Sequence, residues 1–428
     1  MARETQLYDI EEVKERVILV AVEMDEKNSK SAMETEACLE ELEELVKTAG
    51  GTVVARAVQK RERIHPGHYI GKGKAEEIKM MLATYDATGI VCDDELSPAQ
   101  MRNLEQMLET KVMDRTMVIL DIFASRALSR EGKLQVELAQ LKYRLSRLSG
   151  IGASMSRLGG GIGTRGPGEK KLETDRRYIK ERIAELNSAS KEIEVHRQLL
   201  RSQREKKGTP VISMVGYTNA GKSTILNALT DAGVLAEDKL FATLDTTTRM
   251  VYLPNGSEIL LTDTVGFIQK LPHHLIQAFR ATLEELQFAD ILLHVVDASN
   301  PHRQEQMDVV YQTLKDLGCS DTPVITVYNK MDREVEFPLP TDNLSRDKVK
   351  ISAKTGQGMQ EFLECIEILL KSFRSSMKVL IPYHEGSYLS YIHGKCEVIS
   401  EEHTEKGVLI EAYMTEEAVN RLERFREK

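Results

Sequence analysis

Cysteine is scarce and unpaired: Cys38, Cys92, Cys319, Cys365 and Cys396 are scattered, odd in number and never spaced as C-x-x-C. That pattern suggests neither a disulfide framework nor a zinc site, and each thiol reads as a small buried hydrophobe. Long apolar runs are missing as well, since no stretch approaches the ~20 residues that a membrane-spanning helix needs. The N-terminal Met1-Ala-Arg-Glu-Thr-Gln carries acidic residues soon after and lacks the apolar core of a signal peptide, so a cytoplasmic location and no membrane span are expected. His384 and His393 have no third ligand at metal spacing and read as surface or capping residues. Net positive charge is absent too: the formal charge is −9, which by itself argues against a nucleic-acid partner.

The sum hides an asymmetry. From Arg126 to Lys207 there are 20 Lys and Arg against 10 Asp and Glu, a formal +10, which leaves −19 for the rest. Hydrophobic residues at 41% and charged residues at 29% fit a soluble globular chain, and 428 residues give room for about three domains of the usual size. The first part, residues 1–125, alternates strand and helix signals. Arg16–Val22 is a buried-strand run, Ser31–Ala49 has helical spacing, Gly50-Gly51 precedes strand Thr52–Val58, Gly89–Cys92 is a short strand, and Ser97-Pro98 opens a helix. Val112–Phe123 is a further apolar run. A small α/β domain with a mainly parallel sheet is expected. Within it Gly71-Lys-Gly-Lys74 is either an ordinary loop or a phosphate contact, for ATP in the second case.

Residues 126–207 read as two antiparallel helices. Leu134, Leu138, Leu141, Leu145 and Leu148 form a heptad seam, and Leu172, Ile179, Ile183, Leu186, Ile193 and Leu200 continue one after a glycine-rich, basic interruption at Gly150–Lys171. The seams are packing surfaces. Basic residues Arg157, Arg165, Lys170, Lys171, Arg176 and Arg177 at the tip suit a structured RNA surface, where phosphate contacts supply affinity. Glu205–Pro210 is a polar break, beyond which residues 208–374 alternate strands with helices as a doubly wound sheet. Residues 375–428 read as a small α+β tail with nothing catalytic.

The chemistry starts at Gly216-Tyr217-Thr218-Asn219-Ala220-Gly221-Lys222-Ser223-Thr224, a G-x-x-x-x-G-K-S loop between a strand and a helix. Its backbone N–H groups suit phosphates, Lys222 neutralises the terminal ones, and the Ser223 hydroxyl suits Mg²⁺. Asp263-Thr264-Val265-Gly266 follows a strand, so Asp263 can meet the metal through water and the Gly266 N–H the γ-phosphate. Asn329-Lys330-Met331-Asp332 selects the base, because the Asp332 carboxylate accepts from guanine N1–H and its amine whereas adenine leaves that charge unpaired. Ser352-Ala353-Lys354 supplies a backbone contact to the guanine carbonyl and a lysine over the ring. Between them lies a hydroxyl-rich segment with room to move, in which one threonine completes the Mg²⁺ shell; Thr243 is the first choice and Thr247 the second. The expected activity is GTP hydrolysis. Phe267 stands where many GTPases carry a water-orienting glutamine, so intrinsic hydrolysis should be slow, and Asn219 is a candidate for holding K⁺ beside the phosphates.

These motifs, with Phe241-Ala242-Thr243-Leu244-Asp245 and above all Gly159-Gly-Gly-Ile-Gly-Thr-Arg-Gly-Pro-Gly-Glu-Lys-Lys-Leu-Glu-Thr-Asp-Arg-Arg177, resemble the HflX family of ribosome-associated GTPases over nearly the whole chain. In the family's Phe-x-Thr-Leu pattern the threonine falls on Thr243. The resemblance implies binding to the large ribosomal subunit, with the two-helix segment reaching toward the peptidyl-transferase region, and splitting or rescue of stalled ribosomes; a monomer in solution is expected. Other classes considered are a tRNA-modifying GTPase, a ribosome-silencing binder and an ATP-driven rRNA remodeller using Gly71–Lys74.

Overall fold

The computed structural model describes residues 15–24, 34–148, 167–230, 240–241, 243–270, 284–335, 338–373, 375–414 and 416–427. The apolar run at Arg16 forms β1 (Arg16–Met24), whose residues Val17–Val22 are all buried, as a central parallel strand requires. α1 (Thr35–Thr48) lays Leu39, Leu42 and Leu45 on the sheet and stops at Ala49, where Gly50 turns at φ 89° toward β2 (Thr52–Arg61). α2 (Lys72–Thr84), β3 (Gly89–Cys92), α3 (Pro98–Leu108) and β4 (Lys111–Asp114) follow, giving the all-parallel order β2-β1-β3-β4. Ser97 and Gln100 form a capping box at α3, with Pro98 in its first turn.

The run Val112–Phe123 divides between β4 and α4 (Arg115–Arg126), because Asp114 is the N-cap of that helix. Asp114 is completely buried. Its Oδ1 accepts from Met117 N at 3.0 Å and Tyr143 Oη at 2.9 Å, and its Oδ2 from Leu96 N at 3.1 Å and Arg147 at 2.6 Å. One carboxylate therefore ties the sheet to α5 (Arg130–Leu148).

α5 carries two faces. Val136, Ala139 and Tyr143 join the core under α4, while the leucine seam lies toward α6 (Pro167–Lys207). Leu138 and Leu186 are buried and the other described seam residues half-buried, as in a narrow two-helix contact. Arg182 pairs with Glu137 at 2.8 Å and Arg197 with Glu131 at 2.7 Å, so the later residue on one helix meets the earlier on the other: the pair is antiparallel. Arg157 and Arg165 lie outside the described residues, as do the side chains of Lys170 and Lys171; Arg176 and Arg177 are exposed.

The nucleotide-type sheet has order β10-β9-β8-β5-β7-β6 and contains β5 (Val211–Gly216), β6 (Thr247–Tyr252), β7 (Glu258–Asp263), β8 (Ile291–Asp297), β9 (Val324–Asn329) and β10 (Asp347–Lys350). All pairings are parallel except β6 with β7. The intervening helices are α7 (Lys222–Leu229), α8 (Arg303–Asp316) and α9 (Met359–Ser372), the last burying Phe362 and Ile366 against the sheet. β6 departs from the expected mobile segment. It is an edge strand whose only buried residue is Val251, so it lacks the apolar signal that reveals inner strands. The tail is an antiparallel sheet β11-β13-β12, of β11 (Ser375–Ile381), β12 (Glu397–Thr404) and β13 (Gly407–Met414), with α10 (Gly386–Lys395) and α11 (Glu416–Leu422) packed on it.

The largest apolar core crosses from the first sheet and α4–α5 into the nucleotide-type domain, joining Phe123, Val136 and Tyr143 with Tyr217, Phe241, Leu244 and Phe267. All five cysteines are free thiols, four of them buried and Cys396 half-buried. Among the described residues no helix is long and apolar enough to cross a membrane. Replacing Asp114 by Ala strands Arg147 and two backbone N–H groups in a buried site; a loss of about 3 to 5 kcal/mol is expected in the denaturant-induced unfolding of the N-terminal sheet, with Asp114→Asn costing less.

Candidate active site

Every element of the site lies at a carboxyl end of the parallel strands, where the polypeptide leaves the sheet and backbone groups are free to face a ligand. After β5 the chain turns through Gly216 at φ 150°, where a Cβ would fall 2.2 Å from Val295 O, and through Gly221 at φ 95°, where it would fall 2.2 Å from the Asn329 amide nitrogen. Only glycine fits either position. Asn219 sits in the left-handed region at φ 60°, a conformation asparagine tolerates, so its backbone role in the loop is accounted for by geometry.

Lys222 is buried and its ammonium donates to Gly216 O at 3.1 Å and Tyr217 O at 2.9 Å, which holds it under the loop. Burial lowers its pKa to about 8, with Lys330 acting in the same sense and Asp263 opposing. Gly266 approaches so closely that a Cβ there would meet Thr218 Cα at 2.9 Å and the Lys222 ammonium at 3.1 Å.

Three oxygen side chains converge beside the loop. Ser223 Oγ donates to Asp263 Oδ2 at 2.6 Å and lies 2.6 Å from Thr243 Oγ1. Asp263 is completely buried; burial raises its pKa, against Lys222, Ser223 and Thr243, and among the described residues its Oδ1 has no hydrogen-bond partner. Hard oxygen donors around a buried carboxylate with a lone pair to spare fit Mg²⁺. Thr247, the second choice for this role, pairs with Asp263 as the first residue of β6 and belongs to the sheet, whereas Thr243 is the threonine that reaches Ser223. Ala242 lies outside the described residues.

At the opposite end Asn329 locks the loop to the Ser352–Lys354 segment: its Nδ2 donates to Ala220 O at 2.9 Å and its Oδ1 accepts from Ala353 N at 3.0 Å. Ser352 Oγ donates to Asp332 Oδ1 at 2.6 Å and thereby lowers the pKa of that exposed carboxyl. Lys330 pairs with Asp297 at 2.7 Å. The structure thus brings the glycine loop, Asp263, Thr243, Asn329, Asp332 and Ser352 around one crevice.

Phe267 turns away from it. The ring is buried in the core shared with α4, while its backbone N–H donates to Gly216 O at 3.1 Å and its carbonyl accepts from Thr218 N at 2.8 Å. Gln269, two residues on, is also engaged elsewhere, accepting from Cys38 Sγ at 3.4 Å and giving its N–H to Tyr217 Oη at 2.8 Å.

Sequence reasoning passed over a second set of residues. The Tyr217 hydroxyl bonds Glu41 of α1; Glu41 pairs with the buried Arg115 of α4; Arg115 reaches Asp93 at 2.8 Å; and Asp93 and Asp94 both hold Lys270, the latter at 2.8 Å. The available signal was an arginine inside the apolar run Val112–Phe123, a charge that burial makes costly unless partnered. A cavity of about 220 Å³ opens beside the loop, lined by Tyr217, Thr218, Asn219 and Asp297 on one side and by Glu40, Glu41 and Glu44 on the other.

A glycine loop with a buried lysine, paired hydroxyl and carboxylate oxygens, and an Asn-Lys-x-Asp edge define a P-loop GTPase, a GTP hydrolase that binds GTP and GDP. Comparison with known proteins agrees: residues 36–124 match the GTP-binding GTPase N-terminal family, residues 126–204 its middle region, and residues 211–330 the family described as 50S ribosome-binding GTPase. The GTPase HflX of Lacrimispora saccharolytica is 57% identical over 414 residues, covering 96% of each chain, and that of Escherichia coli K12 is 43% identical over 351 residues, covering 81% of this chain and 82% of the other. A solved GTP-binding protein from Sulfolobus solfataricus in complex with GDP is 24% identical, with 83% of this chain and 98% of that one covered at a TM-score of 0.43. The chain belongs to the HflX family of GTPases.

The buried lysine has a measurable consequence. Phosphates raise the pKa of Lys222 from about 8, so binding takes up a proton wherever the free ammonium is already titrating. Calorimetry of GDP binding above pH 8, in buffers of different ionisation enthalpy, should show proton uptake and an affinity that falls as pH rises. At the base edge, Asp332→Asn should shift preference from guanine to xanthine nucleotides, read as the ratio of GDP to XDP affinity.

Proposed function

We propose that this chain is a GTP-gated factor of the large ribosomal subunit that splits or rescues stalled ribosomes, hydrolysing GTP to GDP and phosphate with turnover stimulated by the ribosome. The observation that carries the reading is the convergence of Thr243 with Ser223 and Asp263, on a domain whose family is described as 50S ribosome-binding. A threonine that reaches the cation oxygens lets its loop report the γ-phosphate, which is the basis of a nucleotide switch.

Ser223 and Thr243 would hold Mg²⁺, with Asp263 beside them. When bound there, Mg²⁺ would supply positive charge that offsets the charge developing on the terminal phosphate. Lys222 places its ammonium on the same phosphates and the Gly266 N–H faces the terminal one. Asp332 and Ser352 select guanine. With Phe267 packed into the core and the Gln269 side-chain oxygen accepting from Cys38, neither side chain is placed to orient the attacking water, which supports slow hydrolysis by the chain alone and a partner that completes the site. K⁺ beside Asn219 is supported by the cavity that Asn219 shares with Glu40 and Glu44; Glu41 and Asp297, which also line it, are paired with Arg115 and Lys330. ATP at Gly71–Lys74 is the weaker reading, since Gly71 N–H is given to Gln59 at 2.8 Å and Lys74 to Glu77 at 2.7 Å.

The basic segment 126–207, with exposed Arg176 and Arg177, supplies the attraction for rRNA. In sedimentation assays the chain should travel with the large subunit in a non-hydrolysable GTP analogue and leave it in GDP. Arg176→Ala with Arg177→Ala should weaken that binding and flatten its salt dependence by roughly one to two phosphate contacts. Failure to co-sediment in the analogue contradicts the reading.

A further inference from the structure

The segment that carries Thr243 is held from outside its own domain, on both sides of the threonine. On one side the Phe241 ring meets Phe123 of α4 edge-on, with centroids 4.7 Å apart and planes at 80°, and both rings are buried. Phe241 reaches that position with φ 54°, which costs a non-glycine residue energy and persists because the surroundings fix it. On the other side Leu244 is buried in the same core, and Asp245 closes on the start of α5. Asp245 Oδ2 accepts from Leu128 N at 3.1 Å and Ser129 N at 2.8 Å, and Oδ1 from the Ser129 hydroxyl. Ser129 Oγ in turn accepts from Gly132 N at 2.8 Å, as the cap of the helix.

Two further facts show that this contact is built. A Cβ on Gly132 would fall 2.3 Å from Asp245 Oδ1, so the first turn of α5 is bare of side chain where the carboxylate packs. The carboxylate also lies at a helix N-terminus, where backbone N–H groups and the helix dipole favour negative charge. From there α5 is joined to α6 through Glu131 and Arg197 at 2.7 Å, and α6 returns to the nucleotide domain through Arg201, which pairs with Glu285 at 2.9 Å and lies 3.9 Å over the Phe288 ring.

We propose that Asp245 is a positioning residue for GTP hydrolysis: by clasping the first turn of α5 it sets Thr243 from across the domain boundary, and it makes the start of the helix pair sense which nucleotide is bound. The inference rests on Thr243 being the switch threonine. When Thr243 is drawn toward the γ-phosphate side, Asp245, two residues on, carries the α5 cap with it. When that segment relaxes, the cap loses a charge-assisted acceptor, a shift of roughly tenfold or more in an equilibrium. The direction is reciprocal: a load on the helix pair alters how firmly Thr243 is held.

The test uses the full chain and variants on the α5 side, Ser129→Ala and Gly132→Ala, which lie outside the nucleotide crevice. Hydrogen exchange by mass spectrometry of a peptide spanning residues 128–132 should be slower with a non-hydrolysable GTP analogue than with GDP, by about tenfold. In Gly132→Ala, whose Cβ displaces the carboxylate, that nucleotide dependence should disappear, and in Ser129→Ala, which removes the hydroxyl bond and leaves the two backbone donors, it should shrink; in both, GDP affinity should stay within about twofold and the Mg²⁺ concentration for half-maximal turnover should rise by roughly threefold to tenfold. Thr243→Ala should also abolish the exchange difference. If both α5 variants keep the wild-type exchange difference and Mg²⁺ dependence while Thr243→Ala loses them, the clasp is overturned and the switch threonine stands. If Thr243→Ala alone leaves everything unchanged, the switch assignment falls and takes the clasp's positioning role with it.

Discussion

The architecture depends on a guanidinium buried where two domains meet. Arg115 is 2% exposed, and removing such a charge from water costs several kcal/mol unless its partners are placed to offset it. Glu41 and Asp93 do so directly, and each hands the interaction on: Glu41 to the Tyr217 hydroxyl in the phosphate loop, Asp93 with Asp94 to Lys270 just beyond Asp263–Gly266. Burial works against the Lys270 ammonium, yet the two aspartates outweigh it and raise its pKa; burial raises that of Asp93 in spite of Lys270. The N-terminal sheet thus holds both the glycine loop after β5 and the segment just beyond Asp263–Gly266. Breaking one partner of such a buried set leaves an uncompensated charge and costs several kcal/mol, which is why the set holds the two domains in register.

Around that ionic hub the apolar contacts fall into place. Tyr217, Phe241, Leu244 and Phe267 come from three different nucleotide motifs, and all four side chains turn into one core with α4 and α5. In this chain, motif residues that face away from the nucleotide are the interface. The same fact accounts for Phe267: a ring buried in this core cannot also orient water. Contacts from the N-terminal half thus reach the site along α1 and α4 to the glycine loop and along α5 to the segment that carries Thr243.

How much of this could be read from the residues alone divides along a physical line. Short-range signals were legible: β1 through its unbroken apolar run, α3 through Ser97-Pro98, the glycine loop through its spacing, and the convergence of Asn329, Asp332 and Ser352 through their positions after strands. β6 was not, because an edge strand with one buried residue has no alternation to detect. Nor were the partners of Arg115, Asp245 and Lys270, which lie 74, 116 and 177 residues away in the cases of Glu41, Ser129 and Asp93. Local chemistry marks a residue as costly or reactive, while its partner is decided by the way the domains pack. Thr243 and Thr247 illustrate the point, since both carry the right hydroxyl and only the fold puts one beside Ser223 and the other into a strand.

The central claim is that the N-terminal half and the nucleotide site form one coupled unit. Spin labels at positions 80 and 368, on the exposed Met80 of α2 and the exposed Ile368 of α9, with half-buried Cys396 replaced by Ser, report the separation of the two halves by pulsed dipolar spectroscopy. The account predicts a narrow distance distribution with GDP that moves to a different, equally narrow one with a non-hydrolysable GTP analogue. A broad distribution that is the same in both nucleotides would contradict it.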